Sequence, residues 1–158
     1  MIEPERMRAV LAQQEALRQI TLHAGKVWCE YDITPRFGWW MARHRYADRY
    51  FSRPQRAATV LTDFATWLGQ DIRAHIDEHA LDANSLLVLS GGEALFGITK
   101  LSGIIREIED HIPGRMVVLF PGQYQEPQYR LLDARDGWSY LAVPIVPISG
   151  NGPGRSVA

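Results

Sequence analysis

The sequence predicts an α/β protein with a three-layer fold and a mostly parallel sheet. Residues 86–89 and 116–120 form two short, wholly apolar runs, which are typical of strands covered on both faces. Residues 95–112 lie between them with apolar side chains at helical spacing, and two strands joined by one helix require a right-handed parallel crossover. A chain of 158 residues corresponds to about one domain. We expect this domain to span residues 1–146, followed by a disordered tail at 147–158.

The composition is that of an ordinary globular protein, with 46% hydrophobic and 22% charged residues. Because 17 basic residues balance 18 acidic ones, the overall charge predicts neither a nucleic acid nor a membrane as partner. Cys29 is the only cysteine, which excludes an internal disulfide and a cysteine-rich zinc site. The N-terminus has no apolar signal core, and no apolar run approaches the roughly 20 residues that span a bilayer. We expect a cytoplasmic protein.

The first half of the chain predicts three helices and one strand. Gly25 ends the first helix, Thr34 and Pro35 are favourable residues for the start of the second, and a Ser-Arg-Pro sequence at 52–54 separates the second from the third. In order, the predicted elements are an amphipathic helix over residues 5–24, a strand over 27–33, a helix over 35–51 and a long helix over 55–80.

The second half begins with the two apolar strands and the helix between them, which ends at a Pro-Gly pair. Residues 129–133 and 138–145 are predicted to be further strands, on either side of a turn at residues 134–137. The Asp136-Gly137 pair supplies the turn signal.

Residues 92–99 have the spacing of a phosphate loop, G-x-x-x-x-G-K-[ST], with Ile98 in place of the lysine. Without that lysine the β- and γ-phosphates lose a contact, Glu93 adds negative charge beside them, and residues 119–121 offer no acid for magnesium. The pattern therefore predicts a degenerate phosphate loop, in which a glycine-rich turn lets a helix pack closely on a strand. If the loop binds a ligand, the candidate residues are Ser90, Gly91, Gly92, Gly97, Thr99, Phe120, Pro121 and Gly122.

No catalytic constellation emerges from the remaining residues. His75, Glu78 and His79 match the H-x-x-E-H spacing of some zinc proteases, but they lie at the predicted end of a helix and no third ligand is marked. Cys29 lies within a predicted strand and is interpreted as inert packing, and Ser90 lacks the first glycine of a G-x-S-x-G elbow. We expect no enzyme activity, no metal and no cofactor.

Residues 36–56 combine six arginines and many aromatic residues with a single acidic residue. Three interpretations remain open: one solvated helix, a protein interface, or a nucleic-acid contact. In the first, the arginines form the exposed face, and the buried face consists of Phe37, Trp40, His44 and Phe51. The candidate partner-binding residues are Trp39, Arg43, Arg45, Tyr46, Arg49 and Arg53.

Three segments of the chain resemble the BrxB family of bacterial BREX phage-defence systems. They are LLVLSGGEALFG at residues 86–97, FPGQY at 120–124 and YRLLDARDGW at 129–138. A Trp-Met-Ala sequence at 40–42, followed by Tyr46, Tyr50, Phe51 and Pro54, is similar to the middle helix of that family. The resemblance covers most of residues 11–145.

This resemblance implies a small, non-enzymatic accessory protein that connects other defence proteins. Its expected partners are an ATPase, a DNA methyltransferase and a phosphatase-like PglZ protein, so that any contact with DNA would be indirect. Members of the family begin with a hydrophobic strand ahead of the first helix, whereas this chain begins at the helix. If the strand is missing, we expect an unfilled central slot in the sheet or an exposed edge that a partner strand could pair with.

Overall fold

The computed structural model describes residues 4–43, 57–119, 123–125, 128–131 and 134–135. Helices and a three-stranded parallel sheet make this a mixed α/β fold, as predicted. The main elements are α1 (Pro4–His23), β1 (Val27–Asp32), α2 (Arg36–Arg43), α3 (Ala57–Glu78), β2 (Ser85–Ser90), α4 (Leu101–Ile108) and β3 (Arg115–Val118).

The parallel sheet has the strand order β1-β2-β3. Cys29 pairs with Leu87 and Leu87 with Met116, so one residue from each strand lies in the same row. The parallel pairing of the two apolar strands is thereby confirmed, and β1 joins them on the other side of β2. Because β2 is paired along both edges, the described residues contain no open central slot, and β1 and β3 are the outer strands.

One face of the sheet is covered by α3 and α4, which contact each other and share one hydrophobic core with the strands. Apolar residues every four positions give α3 an inward stripe, and alternate residues of the strands point toward it. Complete burial of each such side chain stabilises the fold by roughly 1.5–3 kcal/mol. The largest fully buried members of this core are Tyr31, Ile33, Phe64, Leu68, Ile72, Leu87, Leu89, Ile104 and Ile108.

The opposite face of the sheet contacts α1. Glu30, whose side chain alternates with that of Tyr31, accepts hydrogen bonds from Gln14 of α1 (2.6 Å) and from Ser90 of β2 (3.2 Å). The amphipathic character predicted for this helix is not seen at its last turn, where Ile20 is 67% exposed. Thr21 is the buried residue there, with its hydroxyl donating to the carbonyl of Leu17, so its neighbours point to solvent.

The predicted helix over residues 95–112 begins later than its apolar spacing indicates. A 3₁₀ turn spans Gly92–Leu95, Gly97 has a φ of 74°, and Lys100 is extended, so that α4 starts only at Leu101. The left-handed Gly97 and the extended Lys100, three positions later, interrupt helical hydrogen bonding, and the spacing of apolar residues does not reveal this. A second 3₁₀ turn, Glu109–His111, follows α4 and extends the helical segment close to its predicted end at residue 112.

A separate antiparallel sheet follows, with strands β4 (Gln123–Gln125), β5 (Gln128–Leu131) and β6 (Ala134–Arg135). The strand predicted at residues 129–133 corresponds to β5. The turn predicted at 134–137 is wrong at its first two residues, because Ala134 and Arg135 form β6 and pair with β5. The predictions for residues 44–51, 138–145 and 147–158 lie outside the described residues. Among the described helices, none combines the length and apolar character needed to cross a membrane.

Candidate functional site

The candidate site lies where β1 and β2 end, at the edge of the sheet where ligands of parallel α/β proteins usually bind. The loop after β1 leads into α2, and the loop after β2 leads into α4. Gly91 holds these two loops together. Its φ is 72°, and a Cβ atom there would lie 2.2 Å from Thr34 Oγ1 and 2.8 Å from the Thr34 amide nitrogen. Only glycine fits this position without moving the neighbouring loop.

Four backbone amides of the glycine-rich loop donate to carbonyls of the loop itself. The amides of Ala94, Phe96, Ile98 and Thr99 donate to carbonyls within the loop at 2.9–3.1 Å. A phosphate loop instead directs its amides at the bound anion. Gly92 supports the structural interpretation of the pattern, because a Cβ atom there would lie 2.7 Å from Leu101 Cδ2. Helix α4 therefore packs closely on the end of β2.

The other candidate ligand residues of this loop are in different environments. Ser90 donates to Glu30, on the face of the sheet that α1 contacts. Thr99 is half-buried, and Gly97 is exposed, with nothing within 4 Å of the point where a Cβ atom would lie. Phe120, Pro121 and Gly122 lie outside the described residues.

Arg36, the first residue of α2, is folded inward rather than lying on a solvent-exposed arginine face. Its guanidinium donates to the Asp71 carboxylate at 3.1 Å and to the backbone carbonyl of Asp32 at 3.0 Å. The same group lies 4.2 Å from the centre of the Tyr31 ring. Its side chain is 21% exposed. These contacts tie β1, α2 and α3 together, and sequence periodicity gave no indication of them.

Tyr31 completes this network from the sheet. Its hydroxyl donates to the same carboxylate oxygen of Asp71 that accepts from Arg36. Burial raises the pKa of Tyr31 well above its ordinary value, and the hydrogen bond and charge of Asp71 raise it further, while Arg36 acts in the opposite direction. The hydroxyl therefore stays protonated and serves as a donor.

Helix α2 presents Trp39 to solvent while its other aromatic residues pack inward. Trp39 is 54% exposed, and the Arg36 guanidinium lies 5.1 Å from the centre of its ring. Phe37 and Trp40 pack on Phe64, with ring centres 5.0 and 5.4 Å away, which confirms the predicted buried face at these two positions. Arg43 is exposed. The remaining partner-binding candidates, Arg45, Tyr46, Arg49 and Arg53, lie outside the described residues.

The two histidines of the H-x-x-E-H pattern lie in different environments. His75 is half-buried, with its ring edge-on to that of Tyr31, and only His79 is exposed. Cys29 is buried as predicted, but its sulphur lies 3.3 Å from His75 Nε2. Sequence reasoning missed this contact. The available signal was weak: Cys29 and Tyr31 alternate on one face of a strand, and that face meets the helix carrying His75.

Comparison with known proteins identifies no relative. No protein-family model, no curated protein and no solved structure matches the chain.

Proposed function

We propose that this protein is a non-enzymatic accessory component of a bacterial BREX-type phage-defence complex, which binds partner defence proteins through the surface around Trp39. The observation that carries the proposal is an exposed tryptophan held against a fixed arginine. The resemblance to the BrxB family supplies the class of partner: the PglZ-like phosphatase-fold protein, the ATPase or the methyltransferase of the system.

Tryptophan and arginine are the residues most enriched where protein interfaces concentrate their binding energy. Trp39 offers a large apolar ring to a partner, and its position is restricted before binding because Arg36 lies against it. Arg36 is itself held by Asp71 and by the Asp32 carbonyl. A side chain that is already ordered loses less conformational freedom on association, which favours affinity.

The glycine-rich loop supports a connector more than a nucleotide-binding subunit. Four of its amides bond within the loop, and Ile98 occupies the position of the phosphate-binding lysine. In this proposal the β2-loop-α4 unit keeps the spacing of a degenerate phosphate loop but serves to hold the Thr34 loop and α4 in place. Calorimetry with ATP, GTP and their diphosphates tests the alternative, since a regulatory nucleotide-binding subunit would release or absorb heat and gain thermal stability.

A DNA contact through the arginines of residues 36–56 is the other alternative, and Arg43 is its described exposed member. Such a contact predicts DNA binding that weakens steeply with salt and that is lost when the arginines are replaced by alanine. The connector proposal predicts no such binding by the isolated protein.

The direct test is affinity purification of the tagged protein from cells that express the neighbouring defence genes. We expect at least one of the three partners to co-purify with the wild type and to be depleted with Trp39→Ala. Ile20→Ala, which truncates another exposed apolar residue (67% exposed) on α1, is the matched control and should retain the partner. Recovery of none of the defence proteins with the wild type would overturn the proposal.

A further inference from the structure

Three side chains with metal-binding atoms converge between β1 and the end of α3. Cys29 points from β1 toward the helix, His75 lies in the last turn of α3, and His79 directly follows the end of α3, so both rings can face the same point. The distance from Cys29 Sγ to His75 Nε2 is 3.3 Å. The candidate ligand atoms of all three residues lie within 4.8 Å of one another.

A backbone contact sets the orientation of the His79 ring, and the His75 ring lies against Cys29. His79 Nδ1 lies 2.9 Å from the carbonyl oxygen of His75, and because a carbonyl only accepts, Nδ1 is the donor of this bond, so that in the neutral imidazole the lone pair lies on Nε2. His75 Nε2 lies 3.3 Å from the Cys29 sulphur, so this nitrogen is directed at the third residue of the cluster. Metal-binding histidines are typically held in this way, by a bond from the second ring nitrogen to a carbonyl or carboxylate.

We propose that Cys29, His75 and His79 form a binding site for a zinc ion. Tetrahedral zinc, with bonds of about 2.0–2.3 Å to nitrogen and sulphur, separates its ligand atoms by roughly 3.4–3.7 Å. The 3.3 Å between Cys29 and His75 is close to that separation, and the observed spread of 4.8 Å leaves a small inward movement for the exposed His79. One thiolate and two imidazoles suit zinc, whereas magnesium and calcium require oxygen ligands.

The surroundings fix the buried ligands and leave one side accessible. The Tyr31 ring lies edge-on to His75 with ring centres 5.1 Å apart, and Tyr31 is held by its bond to Asp71. Cys29 is buried, so an ion reaches the site from the side of His79. Three protein ligands leave the fourth position of the ion to water, as in zinc sites that exchange ligands. The H-x-x-E-H spacing thus marks two ligands, while the third comes from the strand rather than from Glu78.

The test uses the full chain freed of metal with a chelator, followed by titration with Zn²⁺ in a calorimeter and with Co²⁺ in a spectrophotometer. We expect one ion per chain and the ultraviolet charge-transfer absorption of a cobalt-thiolate bond. Cys29→Ser should remove that absorption. Because Cys29 is buried, His79→Gln on the exposed side is the principal variant, and it should weaken zinc binding by more than about tenfold.

His23→Gln is the matched control, because His23 also ends a helix and its Nδ1 lies 2.7 Å from the carbonyl oxygen of Gln19. This variant should bind zinc like the wild type. Circular dichroism should show that His79→Gln is folded. The proposal is overturned if the wild type gives no cobalt-thiolate absorption, or if folded His79→Gln binds zinc as tightly as His23→Gln. Neither variant changes the Trp39 surface, so the outcome is independent of partner binding.

Discussion

Two glycines of the loop between β2 and α4 share a backbone conformation but differ in their surroundings. Gly91 has a φ of 72° and Gly97 a φ of 74°. Alanine in this left-handed region lowers the stability of the folded state by about 1–2 kcal/mol. About 0.4–1 kcal/mol of this is offset, because alanine has less conformational freedom than glycine in the unfolded chain. Nothing lies within 4 Å of a Cβ atom at Gly97. We therefore expect Gly97→Ala to lower the free energy of unfolding by about 1 kcal/mol.

Gly91→Ala carries the same conformational cost and an additional steric one. Its Cβ atom would lie 2.2 Å from Thr34 Oγ1 and 2.7 Å from Asp32 Oδ1. The loop after β1 must move away, which costs about 1–3 kcal/mol as overpacking. The movement also endangers the 2.9 Å bond from the Thr34 amide to Asp32, worth about 1 kcal/mol. The expected total loss is about 3–5 kcal/mol.

Urea denaturation of the wild type and both variants, followed by tryptophan fluorescence, measures the difference. We expect Gly91→Ala to be less stable than Gly97→Ala by about 2–4 kcal/mol, with unchanged dependence on urea concentration. If the two variants lose the same free energy, Gly91 does not hold the loops together. The close approach of the loops at the candidate site would then be refuted.

Three further predictions concern the residues around Arg36. Tyr31→Phe should lower the free energy of unfolding by about 1–2 kcal/mol in urea denaturation, because Asp71 loses a hydroxyl donor. The pKa of Tyr31 in the folded protein is raised above the ordinary 10.0, so its contribution to the free energy of unfolding is complete below pH 10 and declines as the pH rises further. Between neutral and alkaline pH, Tyr31→Phe should therefore lose less stability than the wild type when both are measured with a chelator present. Arg36→Met should weaken partner binding by roughly tenfold in titrations although Trp39 is retained, because the ring loses its cationic support; unchanged affinity would show that Arg36 does not order Trp39. Trp40→Ala should lower the melting temperature through a loss of about 3 kcal/mol, whereas Trp39→Ala should leave it nearly unchanged, and equal shifts would contradict the assigned inward and outward faces of α2.

The regular elements of the fold were predictable because local patterns determine them. The apolar run of β2 and the four-residue spacing of Phe64, Leu68 and Ile72 in α3 indicate buried elements whatever the rest of the chain does. The start of α4 was not predictable in this way. Leu95 fits the helical spacing, but the left-handed Gly97 delays the helix, and glycine tolerates either conformation.

Sequence patterns identified some side chains of the site and the two faces of α2, but not the contacts between distant parts of the chain. Phe37 and Trp40 lie three positions apart on one face of a helix, so helical spacing correctly predicted that Trp40 packs inward while Trp39 faces solvent. Arginine is usually found at the protein surface, but Arg36 is directed inward because its guanidinium binds the carboxylate of Asp71, 35 positions away. Cys29 and His75 are separated by 46 positions. Local patterns carry no information about which strand residue meets which turn of a distant helix.

The most direct test of the proposed function is the affinity for the co-purifying defence protein, measured by titration with wild type, Trp39→Ala and Ile20→Ala. Loss of a central interface tryptophan should weaken binding by about 30-fold or more, which corresponds to at least about 2 kcal/mol. Ile20→Ala, on another part of the surface, should bind within about twofold of the wild type. If folded Trp39→Ala binds as tightly as Ile20→Ala, Trp39 is not the partner-binding surface.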